Sequence, residues 1–219
     1  MTLAELIEQY RAEALDVAEP PFATDALLTA FANEAQDEAC RRGHIIRDAH
    51  SPMSRVAYEA DAAFVKLNPR ILRVDGAHID GHSVAVVSDV QMQAMHCGWL
   101  TDGATAHRPT HLVEGASTGV LFLWPAPAQA GEIRLRLQRM PRVRLEAPDD
   151  EPEIAAHLHM ALVQWMLYRA FDRQDSDMYD PARAARALAA FEAEFGQKSS
   201  ARNEQWVGHG EQLLAPPIC

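Results

Sequence analysis

Gly115-Ala116-Ser117-Thr118-Gly119 has the spacing GxSxG, which in α/β-hydrolases turns a strand sharply into a helix and presents the serine beside an oxyanion hole. The flanking sequence decides whether that chemistry is available. HLVE precedes the first glycine and VLFLW follows the second, and both read as strands. A strand–loop–strand context offers no helix dipole to the serine, so these residues answer the needs of a hairpin loop. A serine hydrolase using Ser117 remains the lesser alternative. Ten histidines raise the question of a metal centre. His157 and His159 are two apart on an expected helix and diverge, whereas a helical chelate wants i, i+4. His78/His82 and His107/His111 have that interval but fall in strand or loop, without cysteines or carboxylates at a recognised spacing. His96-Cys97 lacks a third group to orient it and reads as helix-end packing. No Walker loop and no GxGxxG ahead of a helix is present. Neither a metal nor a cofactor is expected.

The one basic run is Arg134, Arg136, Arg139, Arg142 and Arg144, on and just after an alternating strand. Its plainer reading is a solvated sheet face; its sharper reading is a contact strip for an acidic partner or for passing DNA. Acidic runs at Asp149-Asp150-Glu151 and from Asp172 to Asp180 read as solvated loops. Lining a channel, such residues would repel phosphate and keep a DNA polymer sliding.

These residues need a frame. A chain of 219 residues with 48% hydrophobic and 23% charged residues can bury a core as one large or two small soluble domains. Its net charge of -11 argues against general affinity for nucleic acid or anionic membranes. Cys40, Cys97 and Cys219 form no CxxC pair and fit reduced thiols, and the charged N-terminus shows no export signal.

The organising stretch is IAAHLHMALVQWMLYRAF, expected as a helix from about Ile154 to Phe171. Ile154, Leu158, Leu162 and Trp165 cover one side and Met160, Val163, Leu167 and Phe171 another, leaving Glu153, His157 and Gln164 as a polar edge. It is too interrupted by polar residues to span a bilayer. Upstream, Leu3 to Leu15 places Leu3, Ile7, Tyr10 and Ala14 on one helical face. After the Pro20-Pro21 break a second helix starts at the cap Thr24 and ends at Gly43, read as its left-handed residue. Alternating, β-branched runs then begin: VAY, FVKL and ILRV, with Asp75-Gly76 and Asp80-Gly81 as turns of a meander. Ser88 caps a short helix, and HLVE, GVLFLWP and EIRLRLQR follow, the second expected to be central and the third half exposed. A last helix opens with Asp180 and Pro181 and runs to Gly196, its stripe being Ala184, Leu188, Phe191 and Phe195. The expected fold class is α+β: a discontinuous helical bundle built from both chain ends (residues 1–50 and 149–196) around an inserted antiparallel β module (51–148), with a C-terminal extension at 197–219.

The order of these signals resembles that of tailed-bacteriophage head-to-tail adaptor proteins, also called connector or tail tubular A-like proteins. Phe31 to Ala35, the strand ending Trp124-Pro125-Ala126-Pro127, and the stretch from Pro152 to Phe171 followed by Asp175 and Phe191 to Phe195 carry the likeness, which covers Leu3 to about Gly196. The resemblance implies a virion structural protein, not an enzyme, located at the portal vertex or neck after synthesis in the bacterial host cytoplasm. Subunits of this family usually form dodecameric rings that contact themselves, the portal protein and a tail or nozzle protein, with genomic DNA passing through the centre. It implies, further, that the extension docks on the portal, with Trp206, Leu213 and Leu214 as anchors. The rival from another class is a cytosolic small-molecule binding module using the sheet interior.

Overall fold

The computed structural model describes residues 1–174 and 176–198. Among the described residues the chain is α+β, with five α-helices and a curled, mostly antiparallel sheet. It divides into two compact units, Met1–Ile46 with Met140–Lys198, and Arg47–Arg139.

In the first unit, α1 (Leu3–Ala14) starts at a capping box: the Thr2 hydroxyl accepts the Glu5 N–H, and the Glu5 carboxylate accepts the Thr2 N–H. Its buried residues are Leu3, Leu6, Tyr10 and Ala14, so Leu6 takes the inward position expected of Ile7. Helix α2 (Asp25–Gly43) is capped by Thr24 and carries Arg41 and Arg42 at its negative end. The left-handed residue is His44 (φ 48), not Gly43. Gly43 stays helical, and a Cβ there would stand 2.8 Å from the Ile45 Cγ2.

The organising helix, α4 (His159–Phe171), begins later than Ile154, behind a 3-10 turn at Ala156–Leu158. His159 explains the delay. Its Nε2 lies 3.0 Å from the Ile154 carbonyl, the group an α-helical Leu158 N–H would need, and Leu158 bonds Ala155 instead. Nδ1 of the same ring is 2.9 Å from the Met1 amino group. Leu162, Val163, Trp165, Met166, Leu167 and Phe171 are buried, while Met160, expected inside, is 46% exposed. Helix α4 packs on α1, α2 and α5 (Pro181–Phe195). Asp180 accepts the Ala182 and Arg183 N–H groups to start α5. Phe191 meets Trp165 with ring centroids 4.9 Å apart, and the Arg42 guanidinium lies 5.1 Å over the same indole. Asn33 binds residue 145 as a strand would, accepting the Leu145 N–H at 2.8 Å and donating to its carbonyl at 2.9 Å, which fastens the segment after Met140 to α2.

The second unit holds β1 (Ile46–Asp48), β2 (Arg55–Tyr58), β3 (Phe64–Lys66), β4 (Ile71–Ile79), β5 (His82–Ser88) and α3 (Asp89–Met95). After these come β6 (Thr105–Ala106), β7 (His111–Glu114), β8 (Val120–Trp124), β9 (Ala126–Pro127) and β10 (Gly131–Arg139). The main sheet runs β1-β10-β4-β5-β7-β8-β3, with β2 also paired to β10. Ile79, Leu112, Leu121, Ile133, Leu135 and Leu137 fill its interior. Asp80 (φ 51) and Gly81 (φ 75) make the expected two-residue turn between β4 and β5.

Three expectations for the sheet are corrected. Asp75-Gly76 is no turn: β4 runs straight through it, and Asp75 is the extra residue of a bulge opposite Arg136 and Leu137. The pairing of β5 with β7 is parallel, because the Ser88-capped α3 and the loop after it carry the chain back to the starting end of the sheet. The apolar VLFLW strand, β8, is not at the centre of the sheet: it lies between β7 and β3, one strand in from one end, and EIRLRLQR, as β10, lies one strand in from the other end, between β4 and the strands β1 and β2. Strand β10 is exposed on one face alone, with Arg134 and Arg136 outward and Ile133, Leu135 and Leu137 inward.

Candidate functional site

Period-two alternation points Arg134 and Arg136 away from the core, and pairing on either side of β10 decides what surrounds them. In register, Arg134 lies opposite His78 of β4 and Arg55 of β2, and Arg136 lies opposite Gly76. The absent side chain at Gly76 matters here, since a Cβ would stand 2.7 Å from Arg136 Nη2. That nitrogen donates to the Asp75 carbonyl at 3.4 Å, so the guanidinium lies flat across the neighbouring strand. Asp75 is held in the bulge by the Gln138 amide, which donates to its two carboxylate oxygens at 3.2 and 3.0 Å, with Arg73 Nε 3.7 Å away. Arg134 has Glu132 at 3.5 Å, but with side chains 71% and 47% exposed the pair does little to cancel the charge in water. A recess of about 580 Å³ lies on this face, lined by His78, Asp80, Glu132, Arg134 and Arg136 among others.

Arg139 has a different environment. It is buried, and its Nε donates to the Asp48 carboxylate, itself almost fully enclosed. The Asp48 carboxylate also accepts the His50 and Ser51 N–H groups at 3.0 and 2.9 Å. Burial by itself would raise the Asp48 pKa, but hydrogen bonds from Ser51, His50 and Arg139 outweigh it and hold the carboxyl far below the ordinary carboxylate range. Arg142 belongs to the other unit, where its backbone N–H and Nε both reach Glu153, at 2.8 and 3.3 Å. Arg144, in the same unit, is exposed. The sheet face therefore unites Arg134 and Arg136 from the basic run and adds Arg55 and His78, which inspection of the run missed. Arg55 is a lone cation in RVAY, and the antiparallel register of that strand on EIRL was the signal that could have found it. Chemically the face offers three arginines and one imidazole interspersed with the Asp80 and Glu132 carboxylates, a mixed polar surface in which the cations are available to an anionic or acidic partner.

Ser117 lies in the exposed loop joining antiparallel β7 and β8, with a strand on each side of the GxSxG sequence. His96 stacks on Trp124 with ring centroids 4.2 Å apart, and His111 meets the same indole at 5.6 Å. Burial, and then the neighbouring His96, lower the His111 pKa. The exposed Cys97 thiol has the Gln93 amide at 3.5 Å. Among the described residues no group of three or more His, Cys, Asp or Glu is placed to hold a metal ion, and no helix is long and apolar enough to cross a membrane. Trp206, Leu213, Leu214 and Asp175 lie outside the described residues.

No curated protein matches the chain. A protein-family model does, the one described as SU10 adaptor protein, over residues 1–211.

Proposed function

We propose, because the chain belongs to the SU10 adaptor protein family, that it is a structural protein of a tailed-phage virion, working at the head-to-tail junction by protein contact and without catalysis. The match across residues 1–211 carries this reading, since it spans both units and not one shared module. In finer detail, the subunits form a ring, dodecameric as is usual for such adaptors, that joins the portal to a tail or nozzle protein and lets DNA pass through its centre. The helices of the first unit act as a discontinuous bundle, and the sheet of the second is the inserted module. Multivalent presentation suits this role, because a weak contact repeated around a closed ring becomes a strong one. The segment from Gln197 to Cys219 is the portal-docking arm, with Trp206, Leu213 and Leu214 as its apolar anchors. Arg134 and Arg136, joined by Arg55, form a contact face for an acidic partner surface or for DNA in transit, and Arg142 and Arg144 supply further exposed cations.

The test is negative-stain imaging of the protein co-expressed with the portal subunit of the same genome. Added rings of mass at one portal pole are the expected result; bare portals beside a monomeric protein would overturn the reading. In the same preparation, a chain ending at Lys198 should keep its melting temperature and lose portal docking. Unfolding of that chain would make the segment part of the core.

A further inference from the structure

The loop joining α1 to α2 has its polarity reversed. Asp16 is 3% exposed, while Leu15 and Val17 on either side of it are 74% and 85% exposed, and Phe22 is 54% exposed. The buried carboxylate holds the loop from within, accepting the Phe22 N–H at 2.9 Å, the Ala23 N–H at 3.1 Å and Arg11 Nη1 at 3.2 Å. Arg11 closes the clamp by donating through Nη2 to the Ala23 carbonyl at 3.1 Å. A connection that needed only to be soluble would place the aspartate outward and the leucine and valine inward. This one is pre-shaped to display three apolar side chains beside the exposed Glu19, so little ordering cost remains when they are covered.

A surface of matching chemistry lies in the second unit. Strands β2 and β3 are consecutive in sequence but do not pair with each other: β2 bonds β10 and β3 bonds β8. The opening between them is a shallow cleft of about 360 Å³ with a mixed lining, apolar at Pro52, Met53, Val56 and Ala57 and polar at Arg55, Lys66 and Asn68. Its charged lining residues are Arg55 and Lys66, and no carboxylate lines it. On a chain of net charge -11, a recess with cations alone is a selective place for an apolar loop that carries a glutamate.

We propose that the Leu15–Phe22 loop of one copy seats in the β2/β3 cleft of a second copy, with Glu19 facing Arg55 or Lys66. Because the two surfaces differ, the contact is head-to-tail, the kind that closes into a ring when the rotation between copies allows. This inference rests on the ring reading above and names the surfaces that would build it.

The test uses the full chain co-expressed with the portal, scored by the fraction of portals carrying a ring and by the affinity of adaptor for adaptor on them. Glu19→Lys should weaken assembly by about tenfold, the combination of Arg55→Glu with Lys66→Glu by at least as much, and the triple variant should recover most of the loss. Val17→Asp should abolish assembly without recovery by either set. All four side chains are exposed, and unchanged melting temperatures confirm that the variants fold. Wild-type assembly by every variant, or a triple variant no better than its parents, would overturn the loop-in-cleft contact while leaving the ring standing. Portals that carry no wild-type ring would overturn the ring reading, and this contact with it.

Discussion

Replacing Asp48 with asparagine keeps the shape of the side chain and removes its charge, which isolates what the Arg139 pair contributes. The amide oxygen of the new side chain could still accept the His50 and Ser51 N–H groups, but Arg139, 5% exposed, would lose the anion it pairs with. Breaking a buried pair from one side costs about 3–5 kcal/mol, and the retained backbone bonds favour the lower end, about 3 kcal/mol. Linkage adds a second signature. With the folded-state pKa depressed below the ordinary 3.8, the Asp48 charge contributes its full stability above that value and loses it as pH falls toward the folded-state pKa. At pH 3 the unfolded chain binds the proton and the folded one does not, so the wild type gives up about 1 kcal/mol that the asparagine variant never had. Urea unfolding followed by circular dichroism should show a deficit of about 3 kcal/mol at pH 7 that narrows to about 2 kcal/mol at pH 3. A deficit under about 1 kcal/mol, or one equal at both pH values, would refute the buried-pair argument.

Three further perturbations probe other parts of the fold. Trp165→Ala should cost about 3–5 kcal/mol in the same assay, since the indole is buried between Phe191 and Arg42; a small loss would remove α4 from the centre of its unit. Tyr10 has its pKa pushed up to about 12, by burial first and the Asp16 charge next. Its neutral form therefore stabilises the fold fully below pH 10, and that contribution is lost as pH rises toward 12 while the unfolded phenol ionises first. Absorbance titration should show a late tyrosinate step that Tyr10→Phe deletes, and the variant should lose less stability than wild type across that range. Gly131→Ala and Gly76→Ala should differ: at 131 a Cβ meets the Tyr58 hydroxyl oxygen at 2.5 Å, while at 76 it meets the movable end of Arg136. The first should cost about 1–3 kcal/mol and the second clearly less, by thermal unfolding.

Helix starts were readable from sequence because caps are local. Thr24, Ser88 and Asp180 each bond N–H groups two or three residues ahead, so short-range chemistry fixes them. His159 escaped that reading because its partners are Met1 and the Ile154 carbonyl, and nothing in HLHM says that a histidine turns inward. In the sheet, alternation was legible and neighbours were not. Counting by twos from Ile133 already puts Arg139 on the leucine side, but a charged residue belongs there only with a partner, and Asp48 lies far upstream. Asp75-Gly76 shows the converse: a residue pair with strong turn chemistry was absorbed as a bulge because Gln138 and Arg136 come from another strand to meet it. The parallel β5–β7 pair depends on where α3 delivers the chain, which no local pattern encodes.

The Asp48–Arg139 clasp has a consequence for the order in which the protein acquires its shape on the ribosome. These two residues stand at the near and far ends of the Arg47–Arg139 unit, on adjacent strands β1 and β10. Synthesis completes that unit while the second half of the helical unit, from Met140 to Lys198, is still to be made. Once the clasp closes, α1 and α2 no longer await partners across a long free loop. The nascent strand re-emerges beside the point where it left, which removes a closure entropy of roughly 4 kcal/mol. Opening the clasp should therefore slow the maturation of the helices as well as weaken the sheet.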